Sequence, residues 1–122
     1  MKIAVFGSRK IDTKKVYDVL SEKMNVENEY VTSGNIEGAA KMAITVAKEK
    51  GIKITLYNYE SGLGLYMALK DILVKNQKMV AACEFAYVFW NGESKGTKRE
   101  IEMLEKKGKP FELVMCKSRS KF

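Results

Sequence analysis

Apolar residues along the chain cluster in five short runs, and amphipathic stretches separate them. Short β-branched and aromatic runs predict strands, at residues 2–6, 30–32, 52–57, 85–90 and 111–115. Between them, apolar residues recur every three or four positions and predict helices, at residues 12–24, 36–50, 65–82 and 96–107. Asp12 is placed to cap the first helix and Gly51 to end the second, and the third is expected to break near Asn76.

This order of elements indicates the fold class. A βαβαβαβαβ chain with short connections predicts an α/β fold: a three-layer, Rossmann-like, doubly wound and mostly parallel five-stranded sheet with helices on both faces. Residues 1–116 form a single domain in this interpretation. Residues 117–122 are expected to be a basic, flexible tail.

Three of the predicted strands end in turns of small or polar residues. The turns are Gly7-Ser8-Arg9, Ser33-Gly34-Asn35 and residues 91–97. The third leads through Ser94 and Lys95 into a helix that is predicted to open at Gly96-Thr97. Free N–H groups at such a helix start, beside the positive end of its dipole, suit an anion. Because parallel strands end at one edge, the turns predict a composite phosphate or nucleotide pocket.

Composition narrows the chemistry further. The chain has 122 residues, no histidine, two cysteines and a net charge of +7. No zinc spacing and no histidine-based nucleophile can be formed, so we expect neither a metal nor a cofactor. The absence of a signal-peptide pattern and of an apolar run of membrane length predicts a cytoplasmic protein without a membrane partner. The positive charge favours an anionic partner. The two candidates are a nucleotide-derived small molecule and a nucleic acid, and the small molecule is favoured.

Four segments together resemble a known family. MKIAVFGSR, VTSGNIEGAAKMA, KNQKMV and FWNGESKGTKREIE occur in the order and spacing of the SLOG superfamily, which groups the Smf/DprA and LOG proteins with small Rossmann-like nucleotide binders. The resemblance covers residues 1–115 and is greatest for the small single-domain bacterial and phage branch. It implies a ligand edge formed by Gly7, Ser8, Arg9, Ser33, Gly34, Gly38, Asn76, Trp90, Ser94, Gly96 and Thr97. To this set the turn chemistry adds Asn35 and Lys95.

The chain also departs from the family pattern. Asn35 stands where a second glycine is usual, Ala40 replaces an acid, Lys75 replaces an arginine and Asn91 replaces an aspartate. The segment from Gly96 to Glu100 matches the G-T-x-x-E of the LOG branch, although the preceding P-G-G is missing. In that branch the glutamate assists hydrolysis of an N-glycosidic bond. The resemblance therefore makes Glu100 the catalytic candidate and Arg9 its cationic partner.

Three hypotheses remain open at this point. The leading one is a binding domain for a nucleotide-derived small molecule such as an ADP-ribose-type ligand. The others are a LOG-like nucleoside-monophosphate hydrolase that uses Glu100, and a DprA-like domain that binds single-stranded DNA. Plainer roles compete for several residues: Glu100 as a dipole-stabilising acid, Trp90 as core, and Arg9 in a surface ion pair. Self-association to a homo-oligomer through a small-residue helix face is also compatible with the sequence, although sheet packing explains that face as well.

Overall fold

The computed structural model describes residues 1–34, 37–57 and 65–118, with the backbone alone for residues 65–71. The strands are β1 (Lys2–Gly7), β2 (Glu29–Ser33), β3 (Ile54–Tyr57), β4 (Phe85–Trp90) and β5 (Phe111–Met115). The helices are α1 (Thr13–Lys23), α2 (Gly38–Lys50), α3 (Leu65–Ala82) and α4 (Lys95–Lys106). The predicted α/β alternation is confirmed.

All five strands are parallel and lie in the order β3-β2-β1-β4-β5. The chain thus builds outward from β1 in one direction and then returns to place β4 on the other side of β1. This reversal separates the loops that follow β1 and β4, and it opens a crevice at their carboxyl ends. The predicted doubly wound topology is confirmed, and it locates the switch point.

Two apolar layers cover the sheet, as expected for a three-layer fold. Residues of α1 and α2 pack against one face, with Val16, Leu20, Ala43 and Val46 at the centre. Residues of α3 and α4 cover the other face, chiefly Met79, Val80 and Leu104, together with Cys83, which directly follows α3. The small-residue face of α2 is buried against the sheet, so packing accounts for it: Ala39, Ala40, Ala43 and Ala47.

The predicted break in α3 is wrong. The helix is continuous from Leu65 to Ala82, and Asn76 is only 4% exposed within it. Asparagine favours a helix end because its amide competes for backbone hydrogen bonds, but tertiary packing overrides that preference here. The consequence is that Asn76 is held at a fixed point on the inner face of a regular helix.

Local signals set several helix ends. The Asp12 side chain accepts a hydrogen bond from the N–H of Lys14 (3.0 Å), and Gly51 has a left-handed backbone, which confirms both predicted caps. α4 begins one residue earlier than predicted, at Lys95, because the Ser94 side chain caps it. Among the described residues, no helix has the length and apolar character needed to cross a bilayer.

The chain end is partly fixed. The N–H of Asp12 donates to the carbonyl of Lys117 (2.9 Å), and Ile11 forms an antiparallel bridge with Ser118. The first two residues of the predicted tail are therefore anchored beside the loop after β1. Residues 119–122 of that tail lie outside the described part of the chain.

Candidate ligand cleft

A cleft of about 270 Å³ lies at the carboxyl ends of β1 and β4, at the topological switch point. The loop after β1 forms one wall, α3 forms a second, and the first turns of α4 form the third. Its lining residues are Gly7, Ser8, Arg9, Ile72, Lys75, Asn76, Ser94, Gly96, Thr97, Arg99 and Glu100. Seven of the thirteen predicted ligand residues line it, together with the predicted catalytic Glu100.

Three hydroxyl groups join the loop after β1 to the start of α4. The Oγ of Ser8 lies 3.0 Å from Oγ1 of Thr97, and the Thr97 hydroxyl donates its hydrogen to the Oγ of Ser94 (3.3 Å). The N–H of Thr97 donates to the same Ser94 oxygen (3.4 Å). Ser8 and Thr97 are 4% and 2% exposed. Because Thr97 uses both its N–H and its hydroxyl within the protein, it fixes the cleft wall, and the helix donors left for an anion belong to Lys95 and Gly96.

The turn between β4 and α4 is braced from within. Oδ1 of Asn91 accepts hydrogen bonds from the N–H groups of Glu93 (2.9 Å) and Ser94 (2.8 Å). The indole nitrogen of Trp90 donates to the carbonyl of Ser94 (3.0 Å). Trp90 does not line the cleft, so in the described structure it supports the turn and is not placed to stack on a ligand there.

Charged side chains from three elements meet in the cleft. Arg9 follows β1, Lys75 is on α3, and Arg99 and Glu100 are on α4. Burial raises the pKa of Glu100 from 4.5 to about 8, and the charge of Lys75 offsets part of that rise. Burial also lowers the pKa of Lys75, while the charge of Glu100 raises it and that of Arg9 lowers it. The cation that acts on Glu100 is therefore Lys75, one helix away, and Arg9 acts on Lys75.

Glu100 combines partial exposure with a buried oxygen. The residue as a whole is partly exposed, yet its Oε1 is inaccessible and accepts no hydrogen bond from any residue that the structure describes. Oδ1 of Asn76 is in the same condition. Burial of the charge-bearing atom, and not exposure of the stem, decides the pKa of the carboxyl group.

Asn76 and Glu100 also line a smaller space, which we call the inner chamber. It has a volume of about 30 Å³ and is lined by Val5, Phe6, Gly7, Ser33, Ala40, Lys75, Asn76, Met79 and Glu100. The cleft and the chamber share four lining residues, so the two spaces adjoin: Gly7, Lys75, Asn76 and Glu100. Ser33, predicted to bind ligand, lies on the chamber and not on the cleft.

Two predicted ligand glycines are required by close packing. A Cβ on Gly7 would lie 2.5 Å from Cβ of Ala39 and 2.9 Å from the carbonyl oxygen of Phe89. A Cβ on Gly38 would lie 2.3 Å from the carbonyl oxygen of Ser8, and its φ of 67° is already unfavourable for other residues. These glycines let α2 approach the loop after β1. Gly96 differs, since a Cβ there would meet only Oγ of Ser94, at 4.0 Å.

Two further predicted ligand residues, Gly34 and Lys95, lie outside the lining of the cleft. The N–H of Gly34 donates to the carbonyl of Tyr57 (3.2 Å), and Lys95 is exposed at the start of α4. Neither lines the cleft. Asn35 lies outside the described residues.

Sequence reasoning missed three lining residues: Ile72, Lys75 and Arg99. Ile72, Lys75, Asn76 and Met79 follow the three- and four-residue spacing of one helix face, so the prediction of Asn76 could have included Lys75. Arg99 carries no comparable signal, because it occupies a variable position of the G-T-x-x-E match.

A second depression, of about 390 Å³, lies between α3 and α4. It is lined by Gln77, Val80, Ala81, Met103, Lys106 and Lys107. This groove is larger than the cleft, but its described lining has no acid and no buried unpaired acceptor. We therefore take the cleft as the functional candidate, because polar groups of several elements converge there.

Comparisons with known proteins support the fold and identify no family or function. No protein-family model matches the chain, and no curated protein does. Among solved structures, the C-terminal domain of a hydrogenase from Pyrococcus furiosus is similar, with a TM-score of 0.50 and 14% identity over 93% of this chain and 91% of that one. At that identity the likeness concerns the α/β architecture alone.

Proposed function

We propose that the cleft binds a nucleotide or nucleotide-derived ligand through its phosphate group. The observation that carries this proposal is that Arg9, Lys75 and Arg99 line the same cleft as the N-terminal turn of α4, at the switch point of the sheet. Guanidinium and ammonium groups complement phosphate oxygens, and the N–H groups of a helix start add fixed donors. The cleft volume is below the usual range of about 300–1,000 Å³ for small-molecule sites, which favours a mononucleotide portion over a whole dinucleotide.

The open side of Gly96 supports the same proposal. The protein itself leaves space for a Cβ at this position, in contrast to Gly7 and Gly38. A bare backbone beside two N–H donors, in a cleft that three cations line, allows a phosphate to approach closely. In our proposal the phosphate lies against the N–H groups of Lys95 and Gly96, and Arg9 and Arg99 supply charge from either side.

The test is a thermal-shift series with AMP, ADP, ATP, NAD, ADP-ribose and cyclic nucleotides. A ligand at about a hundredfold above its Kd should add about 2.7 kcal/mol to the free energy of unfolding. Arg9→Gln should then weaken binding about 10-fold or more, since a hydrogen bond to a charged group contributes about 1.5–3 kcal/mol. Lys10→Gln is the matched control, because Lys10 is exposed one residue further on and does not line the cleft.

The possible results separate the hypotheses. A selective shift that Arg9→Gln weakens and Lys10→Gln leaves intact would support the proposal. A flat series would contradict it and would bring forward the prediction of single-stranded DNA binding, which requires steeply salt-dependent affinity. An equal loss in both variants would indicate attraction by overall charge without a site.

One observation favours a second candidate function, hydrolysis of a nucleoside monophosphate. Glu100 lines the cleft with a pKa of about 8, so it holds a proton near neutral pH. Hydrolysis of the N-glycosidic bond adds the hydroxyl of water to C1′ of the ribose and a proton to the departing base nitrogen. Glu100 is suited to deliver that proton. Release of free base that disappears in Glu100→Gln would support this role, and release unchanged in that variant would remove Glu100 from the reaction.

A further inference from the structure

Two residues that line the inner chamber each carry a buried oxygen that accepts no hydrogen bond from any described donor. Oε1 of Glu100 and Oδ1 of Asn76 are both inaccessible, and both residues line this space. Leaving a buried acceptor without a partner costs about 1–3 kcal/mol, and native proteins rarely tolerate it. Two such oxygens on one small cavity therefore call for a shared donor.

The size of the chamber limits what that donor is. A buried water needs about 10–15 Å³ of cavity volume and at least two polar partners. The chamber offers about 30 Å³, and its lining includes Ser33 and Lys75 besides the two acceptors. It is large enough for a water and too small for a nucleotide fragment.

Charge argues against a metal ion or ammonium in the same place. Lys75 already lines the chamber, and Arg9 lies close enough to lower the pKa of Lys75. A further cation would be repelled by both, while Glu100 supplies little negative charge near neutral pH. A neutral molecule with two hydrogens to donate fits best.

We propose that the inner chamber is a binding site for one water molecule, which donates one hydrogen to Oε1 of Glu100, whose carboxyl proton lies on Oε2, and the other to Oδ1 of Asn76. With both hydrogens engaged, the lone pairs of the water oxygen are available to a donor or to an electrophile. Because the chamber adjoins the cleft, this water stands behind any ligand held there.

The first test is a crystal structure of the ligand-free protein at a resolution that reveals ordered water. We expect density in the chamber within hydrogen-bonding distance of both oxygens. An empty chamber would overturn the proposal. So would an Asn76 amide turned so that its Nδ2 donates directly to Glu100.

Oxygen-17 relaxation dispersion supplies an independent test in solution, since it detects long-lived water oxygens and not exchangeable protein protons. Ala40 lines the chamber, so Ala40→Val should fill it. Because we propose one water in the chamber, the count of long-lived waters should fall by about one. The matched control is Ala81→Val, at an exposed position of α3. Equal counts in the wild type and both variants would contradict the proposal. Both tests use ligand-free protein, so they do not depend on whether a nucleotide binds.

Discussion

Glu100 should make the folded protein less stable as the pH rises. Burial raises the pKa of its carboxyl group from 4.5 in the reference state to about 8 in the folded protein. Between these two pH values the folded state therefore keeps a proton that the unfolded state has already released. In that window each pH unit removes about 1.4 kcal/mol from the free energy of unfolding. The contribution is fully present below about pH 4.5 and is lost as the pH rises through about 8.

The size of the effect follows from the shift. The difference between about 8 and 4.5 is about 3.5 units, which corresponds to about 5 kcal/mol across the whole window. This is an upper figure, because a water in the inner chamber would solvate the ionised carboxylate and reduce the cost of its burial. Even half of it is a large share of the roughly 5–15 kcal/mol that stabilises a typical domain.

Urea unfolding at several values between about pH 5 and about pH 9 measures this dependence. The wild type should lose stability relative to Glu100→Gln as the pH rises, since glutamine keeps the shape of the side chain but has no proton to release. Glu102→Gln removes an acid from an exposed position of the same helix and controls for the change in net charge. Parallel curves for the wild type and Glu100→Gln would refute the reasoning.

Two further predictions concern the framework of the cleft. Gly38→Ala should cost more than about 2 kcal/mol of folding stability, because both its left-handed backbone and the carbonyl oxygen of Ser8 exclude a Cβ, whereas Gly51→Ala, with a φ of 66° but open space, should cost about 1 kcal/mol. Equal losses in urea unfolding would show that the close approach of α2 is unimportant. Ser8→Ala and Thr97→Val, alone and combined, should reveal a coupling of about 1 kcal/mol through their 3.0 Å hydrogen bond. Strictly additive losses would mean that the two hydroxyls do not hold the loop to α4.

The fold was predictable because its elements follow strong local periods. The bounds of β4 and β5 agree with the apolar runs at residues 85–90 and 111–115. Asp12 and Gly51 mark helix ends through capping chemistry that depends on neighbouring backbone only. The predicted helix break at Asn76 was wrong for the opposite reason. Local rules place asparagine at a helix end, but Asn76 is buried within α3 by packing against residues distant in the sequence.

The site was predictable only in part, because short motifs do not specify which way a residue points. The turn chemistry correctly brought Ser8, Arg9, Ser94 and Gly96 to one edge. It could not show that Gly96 has space for a Cβ, whereas at Gly38 the neighbouring backbone leaves room for glycine alone. It also could not show that Trp90 turns its nitrogen back to Ser94, because that contact depends on the path of the loop.

The position of Glu100 links the stability of the domain to the charge of its cleft. With Glu100 protonated, the described lining of the cleft contains Arg9, Lys75 and Arg99 and no ionised carboxylate, so the burial that destabilises the ionised acid also preserves the attraction for an anion. An acid exposed at this point would instead neutralise one of the three cations near neutral pH. If the phosphate proposal holds, affinity for a phosphate should therefore fall as the pH passes about 8 in the wild type and should fall less in Glu100→Gln. This follows from topology, because the groups involved come from the loop after β1, α3 and α4, which line one cleft where the order of the strands reverses.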